Sequence, residues 1–135
     1  MVQYLIAYGV TAAVFFAIDL VWLTVVARRF YSDRLGEMLL ARPNLAAAGL
    51  FYAAYVVGVI YFAVAPALRA GSISTALVNG ALFGLFAYAT YDMTNYATLK
   101  NWPLSVTAVD IAWGTGLTAV SALLGYLGTR LMMPA

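Results

Sequence analysis

Four apolar stretches, each long enough to cross a bilayer and separated only by short polar connections, constrain this chain more than any other feature. About 20 apolar residues in a helix cover a hydrocarbon layer roughly 30 Å thick. Such stretches run from 4 to 27, 44 to 68, 74 to 98 and 103 to 129. The 135 residues are 65% hydrophobic and 9% charged, which is too few charges to clothe a soluble domain. A single all-α integral membrane domain over 1–135 is expected, its four helices forming an up-down bundle. No basic residue precedes the first apolar run, and the run is too long for a leader, so it reads as a retained span.

The connection between the first two spans is mixed in character. From Tyr31 to Arg42, Leu35, Met38 and Leu39 recur at helical spacing, with Asp33, Arg34 and Glu37 elsewhere around the wheel. That pattern predicts a short amphipathic helix on the membrane surface. Gly71 and Ser72 predict a tight turn between the second and third spans, and Pro103 is placed in the first turn of the fourth. Gly80 and Gly84 form a small-xxx-small face on the third span, suited to close helix packing within the chain or to a homodimer seam.

Arg28, Arg29, Arg34, Arg42 and Lys100 flank one side of the bundle, Arg69 and Arg130 the other. The positive-inside rule makes the first side cytoplasmic and turns both termini outward. The net charge of +2 therefore reads as topology, and no nucleic-acid partner is expected. Cysteine and histidine are both absent, which removes disulfides, thiolate nucleophiles, imidazole bases and the usual zinc, copper and haem ligands. No metal or cofactor is expected.

Every charge inside a span is an aspartate: Asp19, Asp92 and Asp110. At 1.5 Å per residue, Asp19 lies about 13 Å before Arg28, Asp92 about 12 Å before Lys100, and Asp110 about 10 Å beyond Pro103. Because the spans alternate direction, all three depths are measured from the same face, and the carboxylates fall in one layer. A charged side chain facing lipid there costs at least about 2.5 kcal/mol, so each is expected to point into the bundle. These three are the candidate acid, base or ligand-binding groups.

Polar residues surround them in a pattern. Tyr88, Asp92, Asn95 and Tyr96 share one face of the third span, with Tyr91 beside it. The heptapeptides Ala17-Ile18-Asp19-Leu20-Val21-Trp22-Leu23 and Ala108-Val109-Asp110-Ile111-Ala112-Trp113-Gly114 match, each placing Trp three residues after Asp. On antiparallel helices with their aspartates level, these two segments can be related by a local two-fold axis in the membrane plane. Trp113, about 15 Å in from Pro103, is too deep for an interfacial belt and should pair its indole N–H inside. Trp22, Trp113, Tyr88, Tyr91, Asn95 and Tyr96 are the candidate ligand-orienting residues.

The run Tyr91-Asp92-Met93-Thr94-Asn95-Tyr96-Ala97-Thr98-Leu99-Lys100-Asn101-Trp102-Pro103, with Asp19-x-x-Trp22 before it and Asp110-x-x-Trp113-Gly114 after it, resembles a small bacterial four-span membrane-protein family, domain of unknown function family 2177. The resemblance implies a multi-pass protein of the bacterial inner membrane, and carries no activity or substrate with it. Three functions fit the residues. One is a pocket that binds or modifies a lipid-like or apolar small molecule reached from the cytoplasmic leaflet. A second is a proton-coupled or cation-binding transporter, and the third an accessory subunit whose aspartates only join helices.

Overall fold

The computed structural model describes residues 1–133, and every regular element among them is a helix. Four helical rods are long and apolar enough to span a membrane: Val2–Val26, Leu45–Ala70, Ile73–Thr98 and Leu104–Met132. The first comprises α1 (Val2–Val21) and a π-helical segment, Trp22–Val26. Ala27 closes it by donating to the carbonyl of Trp22, five residues back. The chain then turns into α2 (Arg28–Leu35).

α2 differs from the expected surface helix over 31–42. It starts three residues earlier and ends at Leu35, because Gly36 takes a positive φ of 51° that stops an α-helix. Met38 and Leu39 therefore do not continue its face, and a short 3-10 turn over Gly36–Met38 leads into an irregular stretch.

The second span begins with Asn44, whose side chain accepts a hydrogen bond from the Ala47 N–H. It consists of α3 (Leu45–Val59), a π-helical segment Ile60–Val64 and α4 (Ala65–Ala70). Pro66 gives the π-segment a physical reason. A proline has no N–H for the carbonyl four residues back and its ring crowds that group, here the carbonyl of Phe62. The wider turn relieves the crowding, and the Asn79 side-chain amide donates to the freed Phe62 carbonyl at 3.0 Å. Asn79 thus pins the third span to the second.

Gly71, at φ 63°, ends α4, and Ser72 starts α5 (Ile73–Thr98) by accepting from the Thr75 N–H. After a short connection, Pro103 immediately precedes α6 (Leu104–Met132), one position outside the first turn expected for it. α6 is the hub of the bundle, packed most extensively on α5 and next on α1. Contact with α5 is close because Gly80 and Gly84 meet α6 directly. A methyl on Gly80 would lie 2.9 Å from the Cβ of Ala122, and one on Gly84 would press on the Gly114 carbonyl and on Thr118. The two glycines that offer a homodimer seam in the sequence are therefore covered by α6 of their own chain.

The second span joins the bundle only along its later half. Tyr55, Val56, Val59, Ala63 and Val64 are buried, whereas 41 to 51 are exposed throughout. Its α2-proximal end stands away from α5, and the space so left is a cleft between the second and third spans.

Candidate functional site

The site is built at the α2 end of the bundle, around the three aspartates. Asp19 on α1 is 4% exposed and fully provided with donors. The hydroxyl of Tyr52, from α3, donates to its Oδ2 at 2.7 Å, and the indole of Trp113, from α6, donates to its Oδ1 at 3.0 Å. A buried carboxylate with a donor on each oxygen keeps most of what it loses in hydration.

Asp110 on α6 is served differently. Its Oδ1 accepts from the Tyr31 hydroxyl of α2 at 2.9 Å, and that hydroxyl accepts from the indole of Trp22 at 3.2 Å. The two indoles stack with centroids 4.1 Å apart and planes 9° from parallel. Each tryptophan thus reaches across to the aspartate of the other motif, Trp113 directly and Trp22 through Tyr31. Burial, and next the charge of Asp110, push the Tyr31 phenol well above its ordinary value, so it remains a donor at neutral pH. The π-helical turn after Val21 shifts the register at the point where Trp22 leaves the helix.

Asp92 is the exception. It is fully buried on α5, and neither oxygen has a hydrogen-bond donor from the chain. Its neighbour is Asp110, itself an acceptor, and the two can share a hydrogen bond only when one carries a proton. Among the described residues no three acidic side chains converge closely enough to hold a metal ion.

Beside this layer lies the cleft, about 460 Å³, lined by Phe51, Tyr52, Tyr55, Ala87, Tyr88, Tyr91 and Asp110. Tyr88 lies flat enough on α6 that a methyl at Gly114 would fall within its ring, so Gly114 makes the room that this side chain occupies. The Tyr55 hydroxyl is tied to Thr118 Oγ1 at 2.9 Å, which holds that ring against the back of the cleft. Phe51 and Tyr91 are 61% and 57% exposed on the outer surface of the bundle, so the opening faces sideways, where lipid chains run.

Of the residues singled out in the sequence, Asp92, Asp110, Tyr88 and Tyr91 meet at or beside the cleft. Asp19, Trp22 and Trp113 join them through the hydrogen-bonded and stacked layer. Asn95 and Tyr96 do not line the cleft, and Tyr96 is 44% exposed toward the outside. Sequence reasoning missed Tyr52 and Tyr31. Tyr52 had a signal, since it lies about 13 Å past Pro43, the same depth as Asp19 measured from the same face. Tyr31 had none beyond lying in the connection, because its reach to Asp110 depends on how α2 folds back.

Four apolar helices packed around a layer of buried carboxylates define a small polytopic membrane protein. More narrowly, the chain belongs to the family described as predicted membrane protein (DUF2177), whose model matches residues 4–127. No curated protein and no solved structure matches it.

Proposed function

We propose that this protein binds a lipid-like or apolar small molecule in the cleft between its second and third spans, within the bacterial inner membrane. The observation that carries the reading is an aromatic-lined cavity of about 460 Å³ that opens sideways and ends on a carboxylate, Asp110. Ligand pockets of this size are mostly apolar, with few polar groups that fix orientation. Here the apolar wall is Phe51, Tyr55, Ala87 and Tyr88, and the polar end is Asp110 with Asp92 behind it. Acid–base chemistry on a bound molecule would fall to that adjacent pair.

Orientation follows from the charges at each end. Arg28, Arg29, Arg34, Arg42 and Lys100 lie at the α2 end, against Arg69 and Arg130 at the other, so the cleft opens in the cytoplasmic leaflet and both termini face outward.

Native mass spectrometry from a mild neutral detergent tests the binding. Wild type should retain a lipid-sized adduct. Ala87→Trp, which places an indole in the cleft, should lose it, whereas Gly116→Ala should keep it, since nothing lies within 4 Å of that position. Retention unchanged in Ala87→Trp would place the adduct elsewhere.

A further inference from the structure

The chemistry of the cleft selects among apolar molecules, and we infer that its ligand carries an alkylated ammonium group: the site is built for a lipophilic organic cation. The inference rests on the binding reading above and names its substrate class. The argument starts from charge. Three aspartates lie inside the spans, and the two arginines within them, Arg69 and Arg130, sit at the opposite end, so the chain supplies no cation of its own at this depth. Asp19 is compensated by two donors, and Asp110 has one, on one oxygen. Asp92 has none, although it is fully buried. A buried acceptor beside a second acceptor is costly unless a positive charge or a proton comes to it. The open approach to that pair is the cleft, where Asp110 is exposed to an incoming group.

The walls decide which cation fits. A hydrated metal ion needs several convergent acidic oxygens, and no three acidic side chains are gathered among the described residues. The cleft is lined by one carboxylate, Asp110, and by five aromatic rings, four of them phenols. Tyr55, stacked on Phe51 and on Phe83, backs the cleft; Tyr88 stands at 78° to it with centroids 6.3 Å apart, and Phe51 lines the side toward the opening. Tyr91 closes the rim, its ring held edge-on by Trp102. Aromatic faces set at an angle around one negative charge recognise quaternary or tertiary ammonium groups, whose methyls require no hydrogen bonds. An alkyl chain attached to such a group would leave through the lateral opening into the bilayer. The headgroup would displace the need for a proton between Asp92 and Asp110.

Three probes with the same ten-carbon chain separate charge from apolar fit: decyltrimethylammonium, decanol and decyl sulfate. They are offered together to the full-length protein in neutral maltoside detergent, and retained adducts are counted by native mass spectrometry. Wild type should favour the ammonium over the alcohol by about tenfold or more and exclude the sulfate. Asp110→Asn, which keeps an acceptor for Tyr31 but removes the charge, should bring the ratio of retained ammonium to retained decanol to about one. Tyr91→Leu alters an exposed rim residue and should lower the ratio of retained ammonium to retained decanol by about threefold to thirtyfold. Equal retention of ammonium and alcohol by wild type overturns the cation inference and leaves the apolar cleft standing. A preference surviving in Asp110→Asn overturns it as well. Failure of wild type to retain any of the three overturns both readings together.

Discussion

Asp19 and Asp110 occupy equivalent places in matching heptapeptides, yet they are held by unlike partners. The cause is a single insertion: Tyr31 stands between Trp22 and Asp110, while Trp113 reaches Asp19 unaided. A relay of two hydrogen bonds with its acceptor half-buried is more replaceable than a direct bond to a carboxylate that is 4% exposed. Trp113→Phe keeps the stacked ring but strips the donor from Asp19 Oδ1, and should destabilise the protein by about 1–3 kcal/mol. Trp22→Phe should cost less, because Tyr31 still donates to Asp110. Thermal unfolding in detergent, followed by circular dichroism, measures both. Equal losses for the two variants would mean that the direct bond to Asp19 supports the fold no more than the relay through Tyr31 does. The cross-helix partnership was legible in part: the shared Asp-x-x-Trp spacing indicates that the two segments face each other, but nothing in either heptapeptide shows that a residue from α2 completes one half and not the other.

At the scale of elements, the tightest joint is that between α5 and α6, where glycine replaces side chains and two backbones nearly touch. Gly84 faces the Gly114 carbonyl and the Thr118 side chain, and a methyl there would lie 2.8 Å from Thr118 Cβ. Helix association in lipid depends on such close packing rather than on a hydrophobic drive. Gly84→Ala should therefore cost about 1–3 kcal/mol through overpacking, whereas Gly116→Ala, with open space around it, should be neutral or slightly stabilising through helix propensity. Comparing the two midpoints of unfolding in sodium dodecyl sulfate checks this, and a loss no larger for Gly84→Ala than for Gly116→Ala would contradict it. Span positions and the small-xxx-small face were readable because apolar length and residue size are local properties. The end of α2 at Leu35 was not, because Leu35, Met38 and Leu39 keep helical spacing across Gly36, whose positive φ breaks the helix. The π-helical segments left no periodic trace. For the second, Pro66 is a cue to local disruption, but only the structure shows Asn79 taking up the carbonyl that the proline frees.

The whole molecule is lopsided across its thickness. One end carries α2, the carboxylate layer and the cleft beside it; the other carries the Gly71 turn, a core of small residues that includes Ala7, Ala63, Ala67 and Ala76, and a second groove of about 410 Å³ that reaches no carboxylate. Counting depth from the basic connections was enough to put three aspartates in one layer, since helix rise is fixed. It could not reveal the cleft, which exists because residues 41 to 51 of the second span and its approach stand clear of the bundle. The direction in which this asymmetry faces is open to a direct measurement. The chain has no cysteine, so one introduced thiol gives a label without background. Ala41 and Ala70 are both exposed, the first in the connection at the α2 end and the second at the opposite turn. Neither substitution alters a charge, so the Lys and Arg bias that sets orientation is preserved. In intact cells, a membrane-impermeant maleimide should label Ala70→Cys and leave Ala41→Cys unmodified until the membrane that holds the protein is permeabilised. The reverse pattern would open the cleft in the outer leaflet, so that the organic cation would enter from the outside rather than from the cytoplasmic side.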